Sequence, residues 1–84
     1  MSKLDKIIGK FWRNPDLLTY ANIEKVLLHY GSTKIDAKGS HVKFKHSASP
    51  FDLIIPIHGK DCKPFYKKQA LKFLQPITSK PTTP

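Results

Sequence analysis

Carboxylates, cysteine and long apolar runs are all scarce in this sequence, and each scarcity removes a class of function. Six Asp or Glu stand against fifteen Lys or Arg in 84 residues. They are few and unclustered, which gives no footing for a metal-dependent mechanism or for DNA cleavage through one. The single cysteine, Cys62, cannot close an internal disulfide, and no CxxC or Cys/His cluster supports a structural zinc site. The expectation is a reducing cytoplasm, a free thiol in a loop, and neither metal nor cofactor. The longest apolar run, Leu53 to Ile57, is far shorter than the roughly 20 residues a bilayer-spanning helix requires. The opening MSKLDKIIGKFWRN interleaves charge with apolar side chains, unlike a signal-peptide core.

What is present is positive charge on a small frame. The length suits one domain with one core. A formal net charge of +9 selects polyanionic partners: nucleic acid, an anionic membrane surface or an acidic protein.

Hydrophobic spacing divides the chain. Leu4, Ile7, Ile8, Phe11 and Trp12 recur at helical intervals behind a Ser2/Asp5 capping box, which predicts an amphipathic helix that packs on the domain rather than on a membrane. Asn14-Pro15-Asp16 stops it. A second helix is expected over about Ala21 to Tyr30, on the stripe Ile23, Val26, Leu27 and Tyr30, with Gly31 as its left-handed cap and His29 on the solvent side. The period then changes to two. Thr33, Ile35 and Ala37 alternate with Lys34, Asp36 and Lys38; Gly39-Ser40 makes a tight turn; His41 to His46 forms a second strand and Phe51 to Ile57 a third. Pro64 opens a final helix with core residues Tyr66, Ala70, Phe73 and Leu74, leaving Lys67, Lys68 and Lys72 to water or a partner, and Gln75-Pro76 ends it. The fold class is therefore α+β: an α-β-β-β-α order with a three-stranded antiparallel sheet, helices on one face, and an extra N-terminal helix.

Strand parity predicts a site. With Ile35, Val42, Phe44, Leu53, Ile55 and Ile57 turned to the helices, the open face collects Lys34, Asp36, Lys38, His41, Lys43, Lys45 and His58. Metal-free RNA cleavage needs a base for the ribose 2′-hydroxyl, a donor for the leaving 5′-oxygen and positive charge on the phosphate. Imidazole serves either proton-transfer role near neutrality. Gly39 lets a phosphate approach the backbone amides, with the Ser40 hydroxyl as a further donor. His46 shares the parity of Val42 and Phe44, so it is expected to bond backbone at the strand end.

The run from Ile23 to Leu74, with Gly31, Gly39-Ser40-His41, His46, Pro56-Ile57-His58 and Lys63-Pro64 at matching places, resembles the HicA family of type II toxin-antitoxin mRNA interferases. That resemblance implies a double-stranded-RNA-binding-like fold, metal-independent endoribonuclease activity through His41, and neutralisation by a HicB-type antitoxin that covers the site. RNA contacts then fall to Lys38, Gly39, Ser40, Lys43, Lys45 and His58, with His58 also the candidate second proton-transfer group. The implied partners are mRNA or other RNA and the antitoxin, with no membrane, and no DNA except through the antitoxin. Two positions depart from the family pattern. Ser32 follows Gly31 where Phe is common, and Asp36 stands where an Arg often precedes the turn; on the open face Asp36 would repel phosphate or orient a histidine.

The expected organisation is residues 1–14 as the N-terminal helix, 15–76 as the toxin domain and 77–84 as a disordered tail. The alternative to an enzyme is a non-catalytic RNA-binding module of the same fold, which binds RNA in a salt-dependent way without making products. A purely protein-binding role would show no RNA affinity at low salt.

Overall fold

The computed structural model describes residues 3–37 and 39–78. Helix α1 runs over Lys3–Arg13. It buries Phe11 completely and lays Ile7, Ile8 and Trp12 against the core, while Lys3, Lys6, Lys10 and Arg13 stay exposed. The Trp12 indole N–H donates to the Tyr30 hydroxyl at 3.2 Å, so the partly buried ring keeps its polar atom satisfied. Asn14 takes an extended backbone and its side-chain oxygen accepts the Asp16 amide, which starts a single 3-10 turn at Pro15–Leu17.

Helix α2 spans Tyr20–His29 and buries Tyr20, Ile23, Val26 and Leu27. Gly31 ends it with φ +88, and a Cβ at that residue would meet the His46 ring nitrogen at 3.6 Å. Glycine is favoured there by backbone sterics, with the histidine ring close behind it. Strands β1 (Thr33–Asp36), β2 (His41–Lys45) and β3 (Leu53–Pro56) form one antiparallel sheet in the order β1-β2-β3. Helix α3, Pro64–Thr78, returns across it. Phe44, Leu53 and Ile55 from the sheet meet Ile23, Val26 and Leu27 of α2 and Ala70, Phe73 and Leu74 of α3 in one core, closed at one side by Phe11. The order is α-β-β-β-α with α1 in front.

Three expectations are corrected. Pro76 does not end the last helix, which continues to Thr78. Proline there removes only one hydrogen bond of the last turn, and Ile77 still packs against the core. Of the expected tail, residues 77 and 78 are thus helical and 79–84 lie outside the described residues; Ser2 of the capping box does too.

Lys67, expected in solvent, is buried and its ammonium lies 3.3 Å from the Asp61 carboxylate. Cys62 is the free thiol in a loop that the sequence suggests, but the loop buries it in the core cluster, and burial pushes its thiol pKa up, which keeps the sulfur protonated and unreactive.

The third correction is the parity of β1. The Ala37 amide donates to the His41 carbonyl, and the register continues Asp36 to Val42, Ile35 to Lys43, Lys34 to Phe44 and Thr33 to Lys45. Cross-strand partners share a face. Lys34 and Asp36 therefore lie on the helix side, where Lys34 pairs with Glu24 of α2 at 3.1 Å, and Ile35 lies on the open face at 39% exposure. Glu24 also accepts the Tyr20 hydroxyl at 2.7 Å. Burial and that bond push the phenol pKa upward.

Candidate functional site

The open face of the sheet is built by the register. On β2 the exposed side is His41, Lys43 and Lys45; opposite them β3 sets Pro56 and Ile54, and β1 sets Ile35 and Thr33. Lys43 sits between Ile35 and Ile54, and Ile54 is 49% exposed. The face is therefore a basic row crossed by an apolar one, as suits a lysine whose aliphatic stem lies on hydrophobic neighbours with its ammonium outward. Asp52 adds an acid. Its Oδ2 lies 3.5 Å from the Lys43 ammonium and 4.0 Å from that of Lys45.

His41 stands at the start of β2, exposed, and its imidazole has no hydrogen bond or ion pair to any described residue. Gly39 precedes it with φ +67 and open space where a Cβ would sit, and Ser40 is exposed. The Ser40 carbonyl accepts the Ile57 amide at 2.8 Å, extending the β2/β3 pairing one step past the strands. That step brings His58 to the same end of the sheet as His41. His58 is exposed, and its backbone exchanges both hydrogen bonds with Asp61, at 2.8 and 3.1 Å. Lys38 lies outside the described residues.

His46 is a different kind of histidine. Its Nδ1 accepts the Ala48 amide at 3.0 Å, which leaves the proton on Nε2 to donate to the Tyr30 carbonyl at 3.1 Å. Both ring nitrogens are committed, and the ring joins the end of β2 to the end of α2.

The structure brings His41, Ser40, Gly39 and His58 together at one end, with Lys43 and Lys45 farther along the same face as His41. It takes Asp36 away, so that carboxylate neither repels phosphate there nor orients His41. Sequence reasoning missed Asp52, although its two-residue offset from Ile54 signals the open face. It also missed Asp61, whose side chain links distant elements with no local signature: its Oδ1 accepts the Tyr20 amide at 2.9 Å and the Lys67 ammonium at 3.3 Å as well as the neighbouring Cys62 amide at 2.8 Å. Burial works to raise the Asp61 pKa, but these three donors outweigh it and hold it below the ordinary 3.8.

No group of three or more His, Cys, Asp or Glu among the described residues is placed to hold a metal ion. A groove of about 510 Å³ lies elsewhere, between α1 and α2, lined by Leu4, Ile7 and Leu28 with Lys3, Lys25 and His29 at its rim. The candidate site is thus an open surface rather than a cavity, a shape that admits a polymer backbone.

The comparison with known families decides the chain's affiliation. A family model described as the HicA toxin of bacterial toxin-antitoxin matches residues 20–75. The chain belongs to the HicA family. It is accordingly the toxin member of a toxin-antitoxin pair, with a cognate antitoxin as partner. The matched HicA segment runs from the first residue of α2 almost to the end of α3, so α1 lies outside it. No curated protein and no solved structure matches the chain. No helix among the described residues is long and apolar enough to cross a membrane.

Proposed function

We propose that this HicA toxin is a metal-independent endoribonuclease, an mRNA interferase, and that His41 is its catalytic residue. The observation that carries the reading is the contrast between the two histidines of β2: His46 has both ring nitrogens bonded to backbone, whereas His41 is exposed and unengaged beside a left-handed glycine and shares its sheet face with two lysines. A proton-transfer group must be free to meet the substrate.

In this mechanism His41 takes the proton from the ribose 2′-hydroxyl, which attacks the adjacent phosphorus and expels the 5′-oxygen. His58 supplies a proton to that leaving oxygen. Charge on the phosphate oxygens is met by Lys43, Lys45 and Lys38, with the amide and hydroxyl of Ser40 beside the Gly39 turn as neutral donors. The lysines read charge and shape rather than bases, which fits RNA as a class. The cognate antitoxin, of HicB type on this reading, neutralises the toxin by covering the same face.

The experiment is cleavage of a mixed-sequence RNA oligonucleotide in EDTA by wild type and His41→Ala. Wild type should cut; the variant should lose at least about a hundredfold in rate with its melting temperature unchanged. A variant that cuts as well as wild type would overturn the assignment of His41. Salt-dependent binding with no products from either protein would identify the non-catalytic RNA-binding module instead.

A further inference from the structure

Helix α2 begins without a cap of its own. Thr19 stands at the N-cap position in an extended conformation, yet its side chain makes no capping bond. The acceptor comes from Asp61, 41 residues later, through the 2.9 Å bond from the Tyr20 amide. The same residue closes the His58 turn by its two backbone bonds to His58, through Gly59 at φ +65. One residue back, the Ile57 amide bonds the Ser40 carbonyl, next to His41. An unbroken path therefore runs from the first amide of α2 through Asp61, His58, Ile57 and Ser40 to His41.

We propose that Asp61 is a positioning residue for the His41/His58 site. By tying the His58 turn to the start of α2, it keeps that turn seated against Gly39-Ser40-His41 and fixes the separation of the two exposed imidazoles. The inference rests on the ribonuclease reading. Two proton transfers on opposite oxygens of one phosphate require both groups in place at once, and an error of about 1 Å costs up to about a hundredfold in rate. Without the Asp61 side chain the His58 turn keeps its own two backbone bonds but loses its anchor. Lys67 contributes to the anchor from α3, at 3.3 Å.

The test separates anchoring from helix capping. Asp61→Ala removes both roles. Adding Thr19→Asp supplies α2 with a local cap, a better one than threonine, so the double variant regains stability but not the anchor. With the full chain and a mixed-sequence RNA oligonucleotide in EDTA, T19D/D61A should show kcat at least about tenfold below wild type, with KM within about threefold and a melting temperature near that of wild type. Asp61→Asn, which keeps an oxygen for the Tyr20 and Cys62 amides, should recover most of the rate. If T19D/D61A recovers kcat together with stability, Asp61 is only a cap and the inference fails. It also fails if D61N is as slow as D61A. His41→Ala is assayed in parallel: if it cuts as well as wild type, the ribonuclease reading itself has failed, an outcome distinct from a dead H41A beside a fully active T19D/D61A.

Discussion

The Nε2 of His46 lies 3.1 Å from the Tyr30 carbonyl oxygen, at the point where α2 has run out of intrahelical donors for its last carbonyls. The ring satisfies one of those carbonyls and ties the central strand to the helix. His46→Ala leaves the carbonyl half-buried without this donor, so it should lower stability by about 1–3 kcal/mol. RNA cleavage by the folded fraction should persist. Urea titrations followed by circular dichroism give the first quantity, and cleavage assayed below the variant's melting temperature gives the second. Loss of cleavage in well-folded His46→Ala would move the chemistry to this ring.

Asp52 lies within ion-pair distance of both Lys43 and Lys45, on a partly exposed surface where such pairs contribute about 0–1 kcal/mol. RNA phosphate must compete with that carboxylate for the two ammonium groups. Asp52→Asn should therefore tighten RNA binding about two- to fivefold at low salt and steepen the dependence of affinity on salt, since more counterion release accompanies each contact. Stability should change little. Fluorescence anisotropy over a salt series checks both effects, and an unchanged affinity would take Lys43 and Lys45 out of the binding surface.

The central and third strands were legible from the sequence because each carries two or more unambiguous core residues: Val42 and Phe44 in one, Leu53 and Ile55 in the other. The first strand was not. A two-residue turn at Gly39-Ser40 would pair Lys38 with His41 and set Asp36 beside Lys43; the observed pairing of Ala37 with His41 leaves three residues in the loop and sets Ile35 there instead. One residue of loop length reverses every side chain of the strand. In an exposed edge strand with a single isoleucine, hydrophobic alternation is too weak to oppose the loop. His41 was placed correctly on the open face because β2 fixes its own parity. Asp61 was illegible for another reason: besides the neighbouring Cys62 amide its partners lie in α2 and α3, and only the folded chain brings those two together.

Asp61 also sets an acid limit on stability. Its pKa is lowered in the folded protein, so the unfolded chain binds a proton more readily, and folding is favoured above the unfolded value near 3.8. That contribution is complete at neutral pH and is lost as pH falls through the depressed folded value. Because the Asp61 side chain is about half exposed, solvent screens the effect, and about 1 kcal/mol is expected. Asp61→Asn should be less stable than wild type by that amount at pH 7, and the two should converge as the pH falls below 3.8. Urea midpoints across this range check the sign: a gap that widens in acid would mean that the pKa is raised.

Ser32 presents the converse case, a polar atom that the fold buries without a partner. Its residue is 7% exposed, and its hydroxyl oxygen has no hydrogen bond among the described residues, although its backbone amide donates to the Leu27 carbonyl at 3.1 Å. Burial of an unpaired hydroxyl opposes folding by about 1–3 kcal/mol. Ser32→Ala removes that oxygen and keeps the backbone bond, at the loss of a little packing, so it should stabilise the protein by about 0.5–1 kcal/mol. In a chain of this size that is a rise of roughly 2–8 °C in melting temperature. Ser32 lies on the helix side of the sheet, opposite in face to His41, so cleavage should be unchanged. A fall in melting temperature would show that the hydroxyl makes a bond worth more than its burial costs.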